Sequence, residues 1–253
     1  MIALNSLLLL ALVADVPAES PSTERVRESV QKSIPYIQER GTWWIEKKAC
    51  VSCHRTGTMV WSLAEARRNG YEVSNKLDEW TRWSIDKSLS KNKQGKVAGI
   101  GNKEGVVQLL LSLDPSGNDA SRDDIRRKLT ALLSVGQLPD GSWKPGGQLP
   151  SQKRPKPETT VVSTMWLALS LLDDASNDAT ARVVQRALTY IDKAPPGRST
   201  EWYVVRLLLA VKRKDRPSRD RLVKQLRKQQ QADGGWGWIV GDPADALGTG
   251  MAI

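Results

Sequence analysis

The chain carries one short pattern three times. It reads Ile34-x3-Gln38-x2-Gly41-Thr42-Trp43, then Leu133-x3-Gln137-x3-Gly141-Ser142-Trp143, then Leu226-x3-Gln230-x3-Gly234-Gly235-Trp236. A recurring pattern of this kind marks a repeated supersecondary unit. Such a unit cannot bury its apolar face alone and must stack on its neighbours. The repeat also accounts for an unusual aromatic usage of ten Trp, four Tyr and no Phe, because each copy places a Trp at the same point.

The second and third copies share a run-in. Ser121-Arg122-Asp123 and Ser218-Arg219-Asp220 each open a basic amphipathic segment that reaches the Gln, so a helix is expected with Ser as its N-cap. The following Asp140-Gly141 and Asp233-Gly234 are expected to stop that helix with a turn. Fainter copies stand at Ile85-Asp86-Lys87-Ser88 and Ile191-Asp192-Lys193-Ala194. With Gln38, Asp86, Gln137, Asp192 and Gln230 as equivalent points, the steps are 48, 51, 55 and 38 residues. A second, more apolar segment follows most anchors: Val106 to Leu113, Thr160 to Leu172 and Trp202 to Val211. One amphipathic helix and one apolar helix per unit suit a ring of hairpins with the apolar helix inside. No segment alternates with period two for long enough to be a strand. The expected fold class is all-α.

The Leu-x3-Gln-x(2–3)-Gly-x-Trp pattern resembles the repeat motif of the squalene-hopene cyclase and prenyltransferase superfamily, whose fold is an α/α toroid. The resemblance implies that Gln38/Trp43, Gln137/Trp143 and Gln230/Trp236 tie neighbouring hairpins together. It also implies six hairpins where about five are legible. The run Gly248 to Ile253 reads as the opening of another apolar helix, so the ring is expected to be incomplete there. Cyclase chemistry in that family uses an Asp-x-Asp-Asp acid. This chain has only Asp123-Asp124 and Asp173-Asp174. Prenyltransferases hold zinc through Asp, Cys and His, and here the sole Cys and His residues stand together in another motif. The resemblance therefore implies a scaffold and argues against an enzyme.

That other motif is Cys50-Val51-Ser52-Cys53-His54. Two thiols separated by two residues can add to the two vinyl groups of a haem, and the next His can ligate its iron. These are the chain's only cysteines, and His54 is its only histidine. The expected cofactor is one covalent haem c. Other readings use the same residues: a zinc site, which lacks further Cys or His ligands, and a redox dithiol or a Cys50–Cys53 disulfide. For the sixth iron position the thioether candidates are Met59, Met165 and Met251, with an open site or a Lys as further options. The segment Met59 to Leu89 reads as a helical flap turning at Asn69-Gly70. It contains Trp61-Ser62-Leu63-Ala64-Glu65-Ala66-Arg67-Arg68-Asn69-Gly70, which is similar to a stretch found in bacterial toroid-repeat proteins with a Cys-x-x-Cys-His insert.

Residues 1–18 read as a secretory signal, with an apolar core from Leu7 to Val13 and small residues at Val16-Pro17-Ala18. The core is shorter than the roughly 17 residues a membrane span needs. Export to the periplasm or beyond fits haem attachment and makes nucleic acid an improbable partner, despite a net charge of +10. The basic clusters Lys91 to Lys96, Lys153 to Lys156, Arg126 to Lys128 and Lys224 to Lys228 are expected on solvated faces. The expected organisation is 1–18 signal, 19–46 first repeat, 47–90 haem insert and 91–253 remaining repeats. The expected partners are a redox partner or a small ligand, and the apolar interior suits a lipid or isoprenoid. The function expected is electron transfer or ligand sensing at haem. A lipid-binding or cyclase-like toroid, or an interaction scaffold holding a Cys50–Cys53 disulfide, is the alternative.

Overall fold

Helices of two compositions make up this chain, and their burial separates them into two rows. The computed structural model describes residues 23–113, 120–146 and 154–253, the side chain of Cys53 excepted. The expected signal at 1–18 lies outside the described residues. Among the described residues ten α-helices follow one another: α1 Thr23–Lys48, α2 Thr58–Arg68, α3 Leu77–Leu89, α4 Lys103–Ser112, α5 Ala120–Ser134, α6 Lys156–Leu171, α7 Asp178–Lys193, α8 Thr200–Lys212, α9 Arg216–Gln229 and α10 Ala246–Ala252. Three isolated antiparallel bridges are the only β pairing among the described residues. No described helix is long and apolar enough to cross a membrane.

The apolar helices are buried nearly all round. In α6 every residue from Val161 to Leu171 is buried, and α4 buries Gly105, Val106, Val107, Leu109 and Leu110. The amphipathic helices bury one stripe. In α7 it is Thr180, Val184, Ala187, Leu188 and Ile191, and in α9 only Leu222 and Leu226. This is the i, i+3/i+4 spacing of a helix lying on a core. Packing follows the same division. The helices α2, α4, α6, α8 and α10 contact one another in chain order, while α3, α5, α7 and α9 lie against them from outside. One hydrophobic cluster runs from Ile34 through Met59, Trp80, Val106, Met165 and Ile191 to Leu226. Residues 47–90 thus pack into the same core as the rest, through Met59, Val60 and Leu63 of α2 and Leu77, Trp80 and Ile85 of α3.

Two copies of the repeat fold alike. Leu138 donates its N–H to the Ser142 carbonyl (2.7 Å), and Gln231 to the Gly235 carbonyl (2.9 Å). Gly141 and Gly234 sit at φ 92° and 85°, and the preceding Asp accepts from the N–H two residues on in both. The Trp N–H then donates to a threonine of the next inner helix, Thr164 for Trp143 and Thr249 for Trp236. Gln137 Nε2 donates to the Gly141 carbonyl and to the Val183 carbonyl of α7, both at 2.9 Å, and its Oε1 accepts from Arg186. A polar side chain thereby ties one hairpin to the next.

The helix ends differ from the sequence expectation in three places. α5 begins at Ala120, so Ser121 lies inside the helix and is not its N-cap. α5 stops at Ser134, where Gly136 takes φ 77°, so a glycine before Gln137 ends the helix and Asp140-Gly141 forms the turn after it. α9 begins three residues earlier than a Ser218 cap would place it. Asp215, not Ser218, is its N-cap, accepting from the Ser218 N–H at 3.1 Å, and Pro217 suits the first turn. The first copy of the repeat lies within α1, with Gln38, Gly41 and Trp43 all helical and Trp43 exposed. It has no Asp before its glycine, and apolar Trp43-Trp44-Ile45 carries the helix on. Gly41 instead lets Met59 of α2 approach, because a Cβ there would overlap the Met59 Sδ.

Candidate functional site

α1 ends because Ala49 adopts φ 46°, a left-handed conformation that L side chains disfavour. The strain sits one residue before Cys50. Cys50 is exposed as a free thiol, and the side chain of Cys53 lies outside the described residues. Ser52 is extended, and Cys53–Gly57 then form one π-helical turn in which the Gly57 N–H reaches the Ser52 carbonyl at 2.9 Å. Such wide turns inside helical runs recur at functional sites. Asn102 pins the segment by donating Nδ2 to the Val51 carbonyl at 2.7 Å, and Thr56 donates to the Cys50 carbonyl at 3.3 Å.

This turn aims the His54 ring. It meets Trp44 edge-on, with ring centroids 5.8 Å apart and planes at 68°, and Arg55 lies 5.9 Å from the Trp44 centroid. Ser52 Oγ is 3.3 Å from Nδ1. Burial, and then the Arg55 charge, lower the His54 pKa from its ordinary value. The imidazole is therefore neutral at physiological pH, the form in which histidine ligates a metal.

His54 lines a cavity of about 1010 Å³, at the upper end of the roughly 300–1,000 Å³ usual for small-molecule sites. Its walls come from the inner helices. Trp61 of α2 and Trp166 of α6 meet edge to face across it, with centroids 5.7 Å apart. Among the methionines singled out, Met251 of α10 lines the cavity with His54. Met59 and Met165 are 1% and 0% exposed and belong to the core.

One wall is charged, and sequence reading missed it. Arg154 is buried, which corrects the expectation that the Lys153 to Lys156 run is wholly solvated. Its Nη1 and Nη2 bond the two oxygens of Glu104 at 2.5 and 2.9 Å, and its Nε and Nη2 bond those of Glu201 at 2.6 and 2.5 Å. Ser163 donates to Glu104 and the Trp166 indole to Glu201. Burial pushes the Glu104 carboxyl up from its ordinary value, against the pull of Arg154 and Ser163. The available signal was a lone carboxylate in the first turn of each of two apolar helices, α4 and α8. By contrast, Asp173 and Asp174 are taken up by Lys212 and Arg126, each at 2.6 Å, in ion pairs between helix ends.

No group of three or more His, Cys, Asp or Glu side chains arranged to hold a metal ion occurs among the described residues. Comparison with protein-family models, with curated proteins and with solved structures finds no match to this chain.

Proposed function

We propose that this chain is an exported haem c protein, with Cys50 and Cys53 holding the porphyrin through thioether bonds and His54 ligating its iron. The observation that carries the reading is the sole histidine of the chain, directly after its sole Cys-x-x-Cys, with a neutral imidazole facing a large cavity. Three observations support the group: Cys50 offers an exposed thiol, Ser52 lies against Nδ1 and leaves Nε2 for ligation, and His54 shares its cavity with the indoles of Trp61 and Trp166. A hydrogen bond to the second ring nitrogen is the usual means of fixing a ligating histidine. Bound there, haem supplies one-electron transfer or reversible binding of a small ligand at iron. Met251 is the thioether that shares the cavity with His54.

The alternating apolar and amphipathic helices, and the repeated Gln137 and Gln230 turns, support an α/α toroid. In that reading the cavity lies among its helices, and Arg55 and Trp44 pack on the segment that carries Cys50 to His54.

The test is a pyridine haemochrome spectrum and an intact mass of protein made in a host that attaches haem. The expected result is a c-type spectrum and a mass raised by one haem, both lost in Cys50→Ser/Cys53→Ser. Colourless protein with the mass of the bare polypeptide would overturn the reading. His54→Ala should keep the covalent mass and lose the low-spin spectrum.

A further inference from the structure

We propose that the cavity binds, against its Glu104–Arg154–Glu201 wall, an amphiphile with a protonated amine head and an apolar body. The inference goes beyond haem attachment and is stated for the haem-free chain, because haem and amphiphile would compete for the cavity face of Trp61 and Met251.

The argument starts from the donors of Arg154. A guanidinium has five N–H bonds. All five are used inside the wall: Nε on Glu201 Oε2, Nη2 on Glu201 Oε1 and Glu104 Oε2, and Nη1 on Glu104 Oε1 and Ser163 Oγ at 3.1 Å. The Ser163 hydroxyl proton goes to Glu104 Oε1 at 2.6 Å, and the Trp166 indole N–H to Glu201 Oε1 at 2.8 Å. No donor of this group remains for a ligand. Acceptors do remain: Glu104 Oε2 and Glu201 Oε2 each take one hydrogen bond among the described residues, and a carboxylate oxygen can take about two. With both carboxylates ionised, two of them against one guanidinium would carry a net charge of −1, the state that burial of Glu104 opposes and a bound cation would favour.

Charge and hydrogen bonding therefore point the same way. The side chains of Arg154 and Glu201 are 1% exposed and that of Glu104 is 7% exposed, so the excess charge is poorly solvated. A buried charge without a full partner is costly, and a bound cation relieves it. The same cavity is lined by apolar Trp61, Val107, Leu207 and Met251, with Arg27 and His54 in its polar lining. Against the Glu104–Arg154–Glu201 wall itself, a carboxylate or phosphate head would meet carboxylate oxygens and no free N–H of Arg154. Alcohols offer a donor without a charge. An ammonium head offers both, and an alkyl chain fills the rest. A cluster that only braced α4, α8 and the start of α6 would show no head-group preference.

The experiment compares decylammonium, decanol and decanoate, each below its micelle concentration at neutral pH. Binding is read by calorimetry and by fluorescence of the cavity tryptophans on the full-length chain. The haem content of each preparation is read from its absorbance, so failure of haem attachment and failure of amine binding are scored separately. The expected order is decylammonium about tenfold or more tighter than decanol, in line with a charge-assisted over a neutral hydrogen bond, and decanoate weakest. In Glu104→Gln, which keeps the side-chain shape and leaves Arg154 paired with Glu201, the amine-to-alcohol ratio should fall to near one. Decanoate binding as tightly as decylammonium, absence of amine binding, or an unchanged ratio in E104Q would each overturn the proposal. The wild-type series stands even if the variant fails to fold.

Discussion

Replacing Arg154 by methionine keeps most of the side-chain bulk and removes the one cation that two buried carboxylates share. Breaking a buried ion pair from one side costs about 3–5 kcal/mol, because the remaining charge is left desolvated and unpaired. Here two carboxylates are left behind, with side chains 7% and 1% exposed, so the upper end of that range is expected at pH 7. The cost has a ceiling that depends on pH. An orphaned carboxylate can escape by binding a proton. From an ordinary value of about 4.3 this costs about 3.7 kcal/mol at pH 7 and about 1 kcal/mol at pH 5. The sign follows. In the variant the folded carboxylate has a raised pKa, so as pH rises the unfolded chain releases its proton first, and stability is lost above about 4.3. Urea denaturation of wild type and R154M at pH 5 and pH 7 reads this directly. The destabilisation should shrink by about 2.7 kcal/mol per protonating carboxylate between the two. Glu104→Gln balances the charge but sets amide N–H groups against an Arg154 or Ser163 donor, and should cost about 1–3 kcal/mol at pH 7, less than R154M. A loss under about 1 kcal/mol for R154M at pH 7, or an equal loss at both pH values, would refute the claim that Arg154 is the partner on which two buried carboxyl groups depend.

Further outcomes follow from the packing. Gln137→Ala removes the hydrogen bonds to the Gly141 and Val183 carbonyls and should cost about 1–2 kcal/mol in thermal or urea denaturation, whereas Gln230→Ala, whose exposed side chain reaches only the Gly234 carbonyl among the described residues, should cost under about 0.5 kcal/mol. Gly41→Ala gains up to about 1 kcal/mol of helix propensity but drives a Cβ into the buried Met59 side chain; a net loss is expected from denaturation, turning to a gain in a Met59→Ala background. Asn177→Ala deletes the cap that accepts from the Ala179 and Thr180 N–H groups and should lower stability by about 1 kcal/mol in the same assay.

What the sequence revealed, and what it hid, divides along one physical line. Interactions local in sequence were readable. The Gln137-to-Trp143 and Gln230-to-Trp236 segments carry their turn chemistry within seven residues each, and they fold alike. The inner helices were readable because apolarity on every face leaves a helix no solvent-facing side. Errors at helix ends arose where several local signals compete: Gly136 outranked Asp140-Gly141 because left-handed glycine satisfies the last carbonyls of α5 first, and Asp215 outranked Ser218 because Pro217 fixes the first turn around it. The first repeat ran on as helix because Gly41 serves packing against Met59 rather than chain reversal.

The charged wall could not be read this way. Arg154 stands 50 residues from Glu104 and 47 from Glu201, and no periodicity links positions so far apart. Lys103 is a parallel case. Its amine, whose pKa burial lowers, lies against the carbonyls of Leu133 and Val135 at the end of α5, a contact that only the packing of α4 on α5 creates. A rule does connect the two. A charge in the buried first turn of a mostly apolar helix has no solvent to point at, so burial forces it to find a partner from another part of the chain. Applied to Lys103, Glu104 and Glu201, that rule marks the inner ends of α4 and α8 as places where distant charges must converge. It leaves open which cation answers, because that choice is made by the loop before α6, whose Arg154 looks in sequence like one more residue of a solvated basic run.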